Sequence, residues 1–334
     1  MHDVLIVGGG IGGLTAALAL RARGIDAHVY EEAPALRAVG AGILVPPNAM
    51  QILARLHLAD AVAAEGVVIE RAELRDCRSG VLQVVDLASA ARRHGAPTIA
   101  IHRARLQEAL RGRLPAEALH LGAKCTDVSH RGDGMAGSVE ARFEDGRTAQ
   151  GTILVGADGA GSVVRSFVAA RAKPRYSGQT AYRGLARQTL APALVSTGFE
   201  MWAPKRRFGY AALGGGDTYW FATFDAPPDA RDAEGTAGTM LAARFADFGE
   251  PAASLIAATP PSEILRTDLT DLAPLPSWHV GRIVLLGDAA HASTPNLGQG
   301  GAQAIEDAWV LADRLAHARD GSGRAMEQAL AAYE

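Results

Sequence analysis

"DVLIVGGGIGGLTAALALRARGIDAHVYEE" occupies residues 3–32, and its reading decides the fold. Residues 3–7 are a short unbroken apolar run of the kind that forms a buried parallel strand. Gly8, Gly10 and Gly13 follow as G-x-G-x-x-G, with Gly12 among them. "LTAALALRAR" (14–23) is rich in helix formers, Gly24 is a natural helix terminator, and "DAHVY" (26–30) reads as a second strand. Strand, glycine turn, helix and strand within about 30 residues make a βαβ unit. There the first glycine permits a tight turn, the second lets backbone approach a pyrophosphate, and the third allows close helix–strand packing. The helix N-terminus then faces the phosphates. Glu31 stands 23 residues after Gly8, at the tip of the second strand, where a carboxylate accepts hydrogen bonds from ribose hydroxyls. Glu31 and Glu32 disfavour a 2′-phosphate at that place, so FAD or NAD is the expected dinucleotide.

The bulk numbers set the frame around this unit. At 334 residues the chain exceeds one ordinary core, so two domains are expected. Hydrophobic residues at 48% and charged residues at 21% suit a globular protein. The net charge, 33 − 36 = −3, argues against a nucleic-acid partner. The first apolar run lacks a basic leader and is broken by glycines, unlike a secretion signal. No uninterrupted stretch of about 20 apolar residues is present, so no membrane span is expected. Cys77 and Cys125 form no CxxC pair, which indicates neither a zinc site nor a disulfide framework. Two reduced thiols in a cytoplasmic protein without a metal are expected.

Further along, "PPNAMQILARLHLAD" (46–60) reads as one helix behind Pro46 and Pro47. "VVIERAELRD" (67–76) and "GVLQVVDL" (80–87) read as strands around a Ser-Gly turn, and "HRARLQEALRGRL" (102–114) as helix. Asp145-Gly146 signals a hairpin ahead of the buried strand "TILVGAD" (152–158). From about 172 to 270 strands dominate, with a hairpin in 207–227 turning at Gly214 to Asp217 and helical patterns at 237–248 and 253–259. From 279 the βα pattern resumes. The expected fold is α/β: a Rossmann-type dinucleotide-binding domain from discontinuous segments (1–66, 101–171 and 272–334), with an inserted mixed-sheet substrate domain (67–100 and 172–271). No internal repeat is present, and Ala richness is the sole compositional bias.

Two later stretches choose between the dinucleotides. "GTILVGADGAGSVVRS" (151–166) is a strand ending in Ala-Asp-Gly, with Arg165 on the helix after it, and "GRIVLLGDAAHASTP" (281–295) is a strand ending in Gly-Asp. An NAD dehydrogenase has no need of that distant Gly-Asp loop. Gly8/Gly10/Gly13, Asp158-Gly159 with Arg165, and Gly287-Asp288, in this order, resemble the FAD-dependent aromatic hydroxylases, the para-hydroxybenzoate hydroxylase-like single-component monooxygenases. "GAGILVPPNAMQIL" (40–53) and "IHRARLQEAL" (101–110) also look like family segments. The resemblance implies that Asp288 contacts the ribityl chain of FAD, that Arg103 reaches the cofactor, and that Asp158 serves FAD and nicotinamide binding indirectly. The family has no second Rossmann domain for NADH or NADPH, and no second G-x-G-x-x-G occurs here. The loop Pro295 to Gly301, with Gly298 and Gly300, would wrap the flavin, and the helix beginning near Gly301 and Ala302 would point its N-terminus at the pyrimidine edge. Reduced flavin is negative there, and helix-terminal N–H groups stabilise an anion by about 0.3–2 kcal/mol. Pro295 is expected beside the face where oxygen reacts, or simply as a turn former.

The reaction implied is monooxygenation: NAD(P)H reduces FAD, O2 adds to give a flavin C4a-hydroperoxide, and a small aromatic or heteroaromatic molecule takes one oxygen atom. No G-x-S-x-G elbow is present to support a hydrolase. The substrate should lie between the inserted sheet and the flavin, lined by Arg183, Trp202, Arg207, Tyr210, Tyr219 and Phe221. Arg207 and Tyr219, twelve residues apart across the hairpin, read as neighbours on adjacent strands and as candidates for a catalytic role. A similar Arg/Tyr spacing occurs in flavin-dependent urate hydroxylases. They read equally as a solvated strand charge and a sheet aromatic, because alternation sends half of a strand's residues to each face. Trp202, Trp220 and Trp278 also read as core residues. Arg37 reads equally as a flavin or nicotinamide contact and as a surface charge. His291 is expected to make a structural hydrogen bond, and Glu306 and Asp307 to be surface or buttressing acids. Family members continue with further helix past "ALAAYE" (329–334), where this sequence stops, so a truncated C-terminus is one expectation. Two other functions share the pattern: epoxidation or reduction of an isoprenoid-type substrate on the same fold, and flavin binding without turnover.

Overall fold

Short β-branched and leucine-rich runs that no amphipathic helix would tolerate become the central strands of the first of two compact units. The computed structural model describes residues 2–36, 41–132, 137–318 and 323–334. The first unit comprises Met1–Arg37, Gln107–Arg175 and Thr270–Glu334, and the second Ala38–Leu106 and Tyr176–Leu269. Residues 41–66 and 101–106 thus lie in the second unit and not with the dinucleotide-binding stretches. Strand pairing puts them there, since Gly42–Val45 is antiparallel to Thr98–His102.

The first unit is built on an eight-stranded sheet. Its main path runs His279–Val280, Ile283–Leu285, Thr148–Gly156, His2–Val7, Ala27–Tyr30, Leu119–His120. From Ile283–Leu285 onward every neighbour on this path is parallel. Parallel strands end at the same edge, so residues that follow each strand gather there. Cys125–Arg131 and Ser138–Phe143 extend the sheet as antiparallel strands. The carboxyl halves of the two central strands, Val4–Val7 and Ile153–Gly156, are buried on two faces, which explains their unbroken apolar sequence. The helices Ile11–Arg21 and Gly300–His317 pack against each other.

The second unit contains a seven-stranded sheet in the order Leu265–Asp271, Arg175–Ala186, Thr218–Asp225, Arg206–Ala212, Thr197–Ala203, Arg71–Asp76, Gly80–Asp86. It is mixed, because Thr197–Ala203 and Arg71–Asp76 are parallel. One face holds the core: Phe199, Phe208, Tyr210, Trp220 and Phe224 pack with Leu241, Phe245 and Leu255 of the covering helical segment. Part of the other face is covered by a three-stranded sheet, Gly42–Val45, Thr98–His102 and Val67–Ile69, through Ile69, Ala100, Ala211 and Leu213.

Two local expectations are corrected. Residues 46–60 form two helices, Pro47–Arg55 and Ala59–Glu65, because His57 adopts a positive φ of 57° between them. Residues 67–76 split into Val67–Ile69 and Arg71–Asp76, which join different sheets. Leu87–His94 is a helix that no core pattern announces, capped by the Asp86 carboxylate accepting from Ser89 N–H. Cys77 and Cys125 are free thiols, and burial pushes the Cys125 thiol up to about 11. Among the described residues no helix is long and apolar enough to cross a membrane.

Candidate active site

At the carboxyl edge of the parallel sheet the glycine loop is forced into shape by its neighbours. Gly8 has a φ of +108°, and a Cβ on it would lie 2.3 Å from the Ala157 carbonyl oxygen. A Cβ on Gly13 would lie 2.0 Å from the Gly8 carbonyl oxygen, so the helix start and the strand end touch through bare backbone. Gly12 is held against Leu286 and Ala304. Gly10 is different: nothing lies within 4 Å of where its Cβ would be. It is the N-cap of Ile11–Arg21, and no side chain caps that helix. Glu31 accepts from Gly9 N–H at 2.6 Å and from Ala33 N–H at 2.9 Å, so it braces the loop. Gln107 donates to the Gly9 carbonyl at 2.7 Å, a contact no motif announced.

The two later strand ends lie on the same edge. Asp158 turns inward: it accepts from Ser162 Oγ at 2.5 Å and from Val163 and Val164 N–H, which starts the helix Val163–Val168. Burial raises its carboxyl above the usual range against those lowering hydrogen bonds. Arg165, buried, donates to the carbonyls of Ala289, Asp288 and Ala160, tying the Asp158 loop to the Gly287-Asp288 loop. Gly287 has a φ of +61° and donates to Asp307 at 2.9 Å. His291 shares that carboxylate oxygen at 2.6 Å. Burial opposes charge on His291, yet the hydrogen bond to Asp307 outweighs it and raises the imidazole above its ordinary value. Asp307 is thus a buttress for the loop. The Asp288 carboxylate stays exposed and makes no hydrogen bond among the described residues; its Oδ1 lies 3.8 Å from where a Cβ on Gly300 would be.

Pro295–Leu297 forms an exposed helical turn ended by Gly298 in the left-handed region. Gly300–His317 follows, with Gly300, Gly301 and Ala302 in its first turn and no side-chain cap. Two uncapped helix N-termini, an open Gly10 and an unpaired carboxylate on one edge suit an extended dinucleotide. Glu31, Asp158 and Asp288 are therefore brought to this edge, and Pro295 lies in the exposed turn that follows Asp288. Arg103 lies in the second unit as the exposed first residue of Arg103–Arg111, with its N–H on the Ala41 carbonyl at 2.9 Å. Arg37 lies outside the described residues.

In the second unit the register sorts the substrate candidates by face. Direct cross-strand partners share a face, and alternate residues of a strand swap faces. Arg183 pairs with Phe221, and Phe221 with Gly209; Arg207 pairs with Trp202, and Tyr219 with Leu185. Arg183, Trp202, Arg207, Tyr219 and Phe221 thus all point from the face opposite the aromatic core. Tyr210 is the exception and a correction: it is buried on the core face, stacked on Phe199 at 4.7 Å. Arg207 and Tyr219 share a face but are not neighbours, since Arg207 pairs with Thr223 and Tyr219 with Ala211. Four residues of strand separate them, about 13 Å. The hairpin turn at Leu213–Asp217 sets that register.

Arg207 forms an ion pair with Glu200 at 3.2 Å, and Glu200 also accepts from Trp202 Nε1 at 2.8 Å. Trp202 is 42% exposed, so it is not core, whereas Trp220 is fully buried. The Phe221 ring lies over Gly209, where a Cβ would come within 2.3 Å of it. Tyr219 packs on Gly42, whose Cβ would meet the ring at 2.5 Å. Burial raises the Tyr219 phenol, and the Arg183 guanidinium beside it pulls the other way. The face therefore carries two guanidinium groups and flat aromatic surface, with the Tyr219 phenol packed beneath the three-stranded sheet.

The chain matches the FAD binding domain family over residues 1–334. It is 45% identical to the Aurachin C monooxygenase/isomerase of Stigmatella aurantiaca over 92% of this chain and 79% of that protein. It is 37% identical to the 3-amino-4-hydroxybenzoate 2-monooxygenase of Streptomyces cremeus, over 99% of this chain and 82% of that one. Klebsiella pneumoniae HpxO, solved with FAD and uric acid, superposes with a TM-score of 0.89 at 31% identity, covering 100% of this chain and 83% of that one. The chain therefore belongs to the FAD binding domain family, as an FAD-dependent oxidoreductase of the para-hydroxybenzoate hydroxylase-like fold among the FAD-dependent aromatic monooxygenases.

Proposed function

We propose that this chain uses NADH or NADPH and O2 to hydroxylate a small aromatic or heteroaromatic substrate. One observation supports it above the others: the second unit turns Arg183, Arg207, Tyr219 and Phe221 to a single sheet face, while its aromatic core occupies the other. Gly8, Gly10, Gly12 and Gly13 would receive the pyrophosphate of FAD, Glu31 the adenosine ribose and Asp288 the ribityl chain. The first turn of Gly300–His317 would face the pyrimidine edge, where its N–H groups favour negative charge by about 0.3–2 kcal/mol. FAD, when bound, supplies the transfer of electrons from the nicotinamide and of oxygen from O2. The protein's part is to bind and orient the ring, hold charge and exclude water. Arg183 and Arg207 would anchor carbonyl, phenolate or carboxylate oxygens, and Phe221 would set the ring plane.

The test is a screen of aromatic acids, phenols, purines and quinolones for accelerated NAD(P)H consumption under 18O2. A hydroxylated product carrying one 18O atom is expected. If no aromatic compound accelerates NAD(P)H consumption, or if the product is an epoxide or a reduced isoprenoid, the proposal fails.

A further inference from the structure

His2 and Asp26 meet His28 toward the amino-terminal side of the parallel sheet, and His120 reaches His28 from the neighbouring strand, where it stands opposite Tyr30. His2 begins His2–Val7, Asp26 precedes Ala27–Tyr30, His28 lies in that strand, and His120 ends Leu119–His120. His2 Nδ1 lies 3.3 Å from Asp26 Oδ2, and His28 Nε2 lies 3.2 Å from Asp26 Oδ1. His2, Asp26 and His28 each offer one ligand atom, and these atoms all lie within 4.8 Å of one another. We propose that His2, Asp26 and His28 form a binding site for a borderline divalent cation of the zinc(II) class.

The donor set selects that class. Two imidazole nitrogens and one carboxylate oxygen suit zinc, whereas magnesium and calcium want oxygen shells. Tetrahedral zinc with bonds of about 2.0–2.1 Å has ligand–ligand edges of about 3.4 Å, which the separation of His28 Nε2 from Asp26 Oδ1 approaches, whereas His2 Nδ1 now faces the other oxygen, Oδ2. The outer contacts are those of a ligating histidine. His28 Nδ1 faces His120 Nε2 at 3.1 Å, and the His120 ring is stacked on Tyr30 at 4.5 Å. When His28 donates through Nδ1 to His120, its Nε2 lone pair faces the Asp26 carboxylate, and a cation between them satisfies both. Without a cation the tautomer reverses: Nε2–H donates to Asp26, and His120 donates to Nδ1. The cation replaces that proton. The Asp3 carboxylate, which accepts from Asp26 N–H at 3.0 Å, adds negative charge, and Arg21 offsets part of it through Asp26 Oδ1 at 2.9 Å. The His2 ring leans on His28 with centroids 3.6 Å apart and planes at 31°, so His2 must turn to aim Nδ1 at the ion. Its side chain is one-third exposed at the strand's start, which leaves room for that rotation.

Gly8 is six strand residues from His2, about 20 Å, so the ion would clamp strands and take no part in oxygen transfer. The experiment is equilibrium dialysis of untagged, FAD-loaded, chelator-stripped protein against zinc chloride, with cobalt(II) absorbance as the geometry readout. Wild type is expected to bind one zinc per chain and to give a tetrahedral cobalt(II) spectrum. His2→Gln and Asp26→Asn, both at half-open positions, should each weaken binding at least about tenfold, and His120→Gln about 10–100-fold. FAD content should not change in any of them. Absence of stoichiometric zinc uptake by wild type, or uptake undiminished in His2→Gln and Asp26→Asn, overturns the proposal.

Discussion

Glycines of one motif do different jobs, and substitutions separate them. Gly8→Ala must push a methyl into the Ala157 carbonyl at a φ of +108°, which combines overpacking with backbone strain. A loss of about 3 kcal/mol or more is expected, read as a lowered thermal midpoint. Gly10→Ala meets nothing and sits at a φ of −70°, so the protein should melt within about 0.5 kcal/mol of wild type. A comparable loss in both variants would show that the space at Gly10 is structural. The glycine spacing and Glu31 were legible because a tight turn before a helix leaves a local signature. Gln107, Arg165 and Asp307 were not assigned their contacts, because they act on backbone groups 20 to 124 residues away in sequence. Side chain to backbone bonds of that span have no spacing rule.

Within the elements, phase decides which side chains meet a ligand. The sequence indicated a hairpin in 207–227 but not which alternate set faced the core, so Tyr210 was grouped with Arg207 and Tyr219 although it belongs to the other face. Tyr210→Phe should leave the KM for an accepted aromatic substrate within about twofold of wild type. Arg207→Gln should lower kcat/KM at least about tenfold, a loss of about 1.4 kcal/mol in transition-state binding. Equal effects in the two variants would contradict the face assignment. The helix Gly300–His317 adds a pH signature through Asp307. His291 has a folded-state pKa above the ordinary 6.5. Its pair with Asp307 therefore stabilises the fold below that value, and the contribution is lost as pH rises through the folded pKa. Thermal melts across this range should show wild type approaching Asp307→Asn as pH rises; a constant gap would remove His291 from the account of this loop.

On the scale of the whole chain, three distant stretches must assemble before the first unit exists. The order of motifs pointed to that assembly, since each was a strand followed by glycine, with an acid beside it in the two later stretches. The unit boundary was less legible: residues 41–66 follow the βαβ unit closely, yet their strand pairs with Thr98–His102 in the second unit. Pairing between strands more than fifty residues apart depends on complementary edges that a single sequence does not display. Parallel strand ends, not chain proximity, unite Gly8–Gly13, Glu31 and Gly287–Asp288. The most direct test is an equilibrium titration of the apoprotein with FAD, followed by flavin fluorescence. One FAD per chain is expected for wild type, with Gly10→Ala and Asp288→Ala each weakened at least about tenfold and Tyr210→Phe unchanged. Failure to take up FAD, or uptake indifferent to Gly10 and Asp288, would contradict the joining of these strand ends on one cofactor.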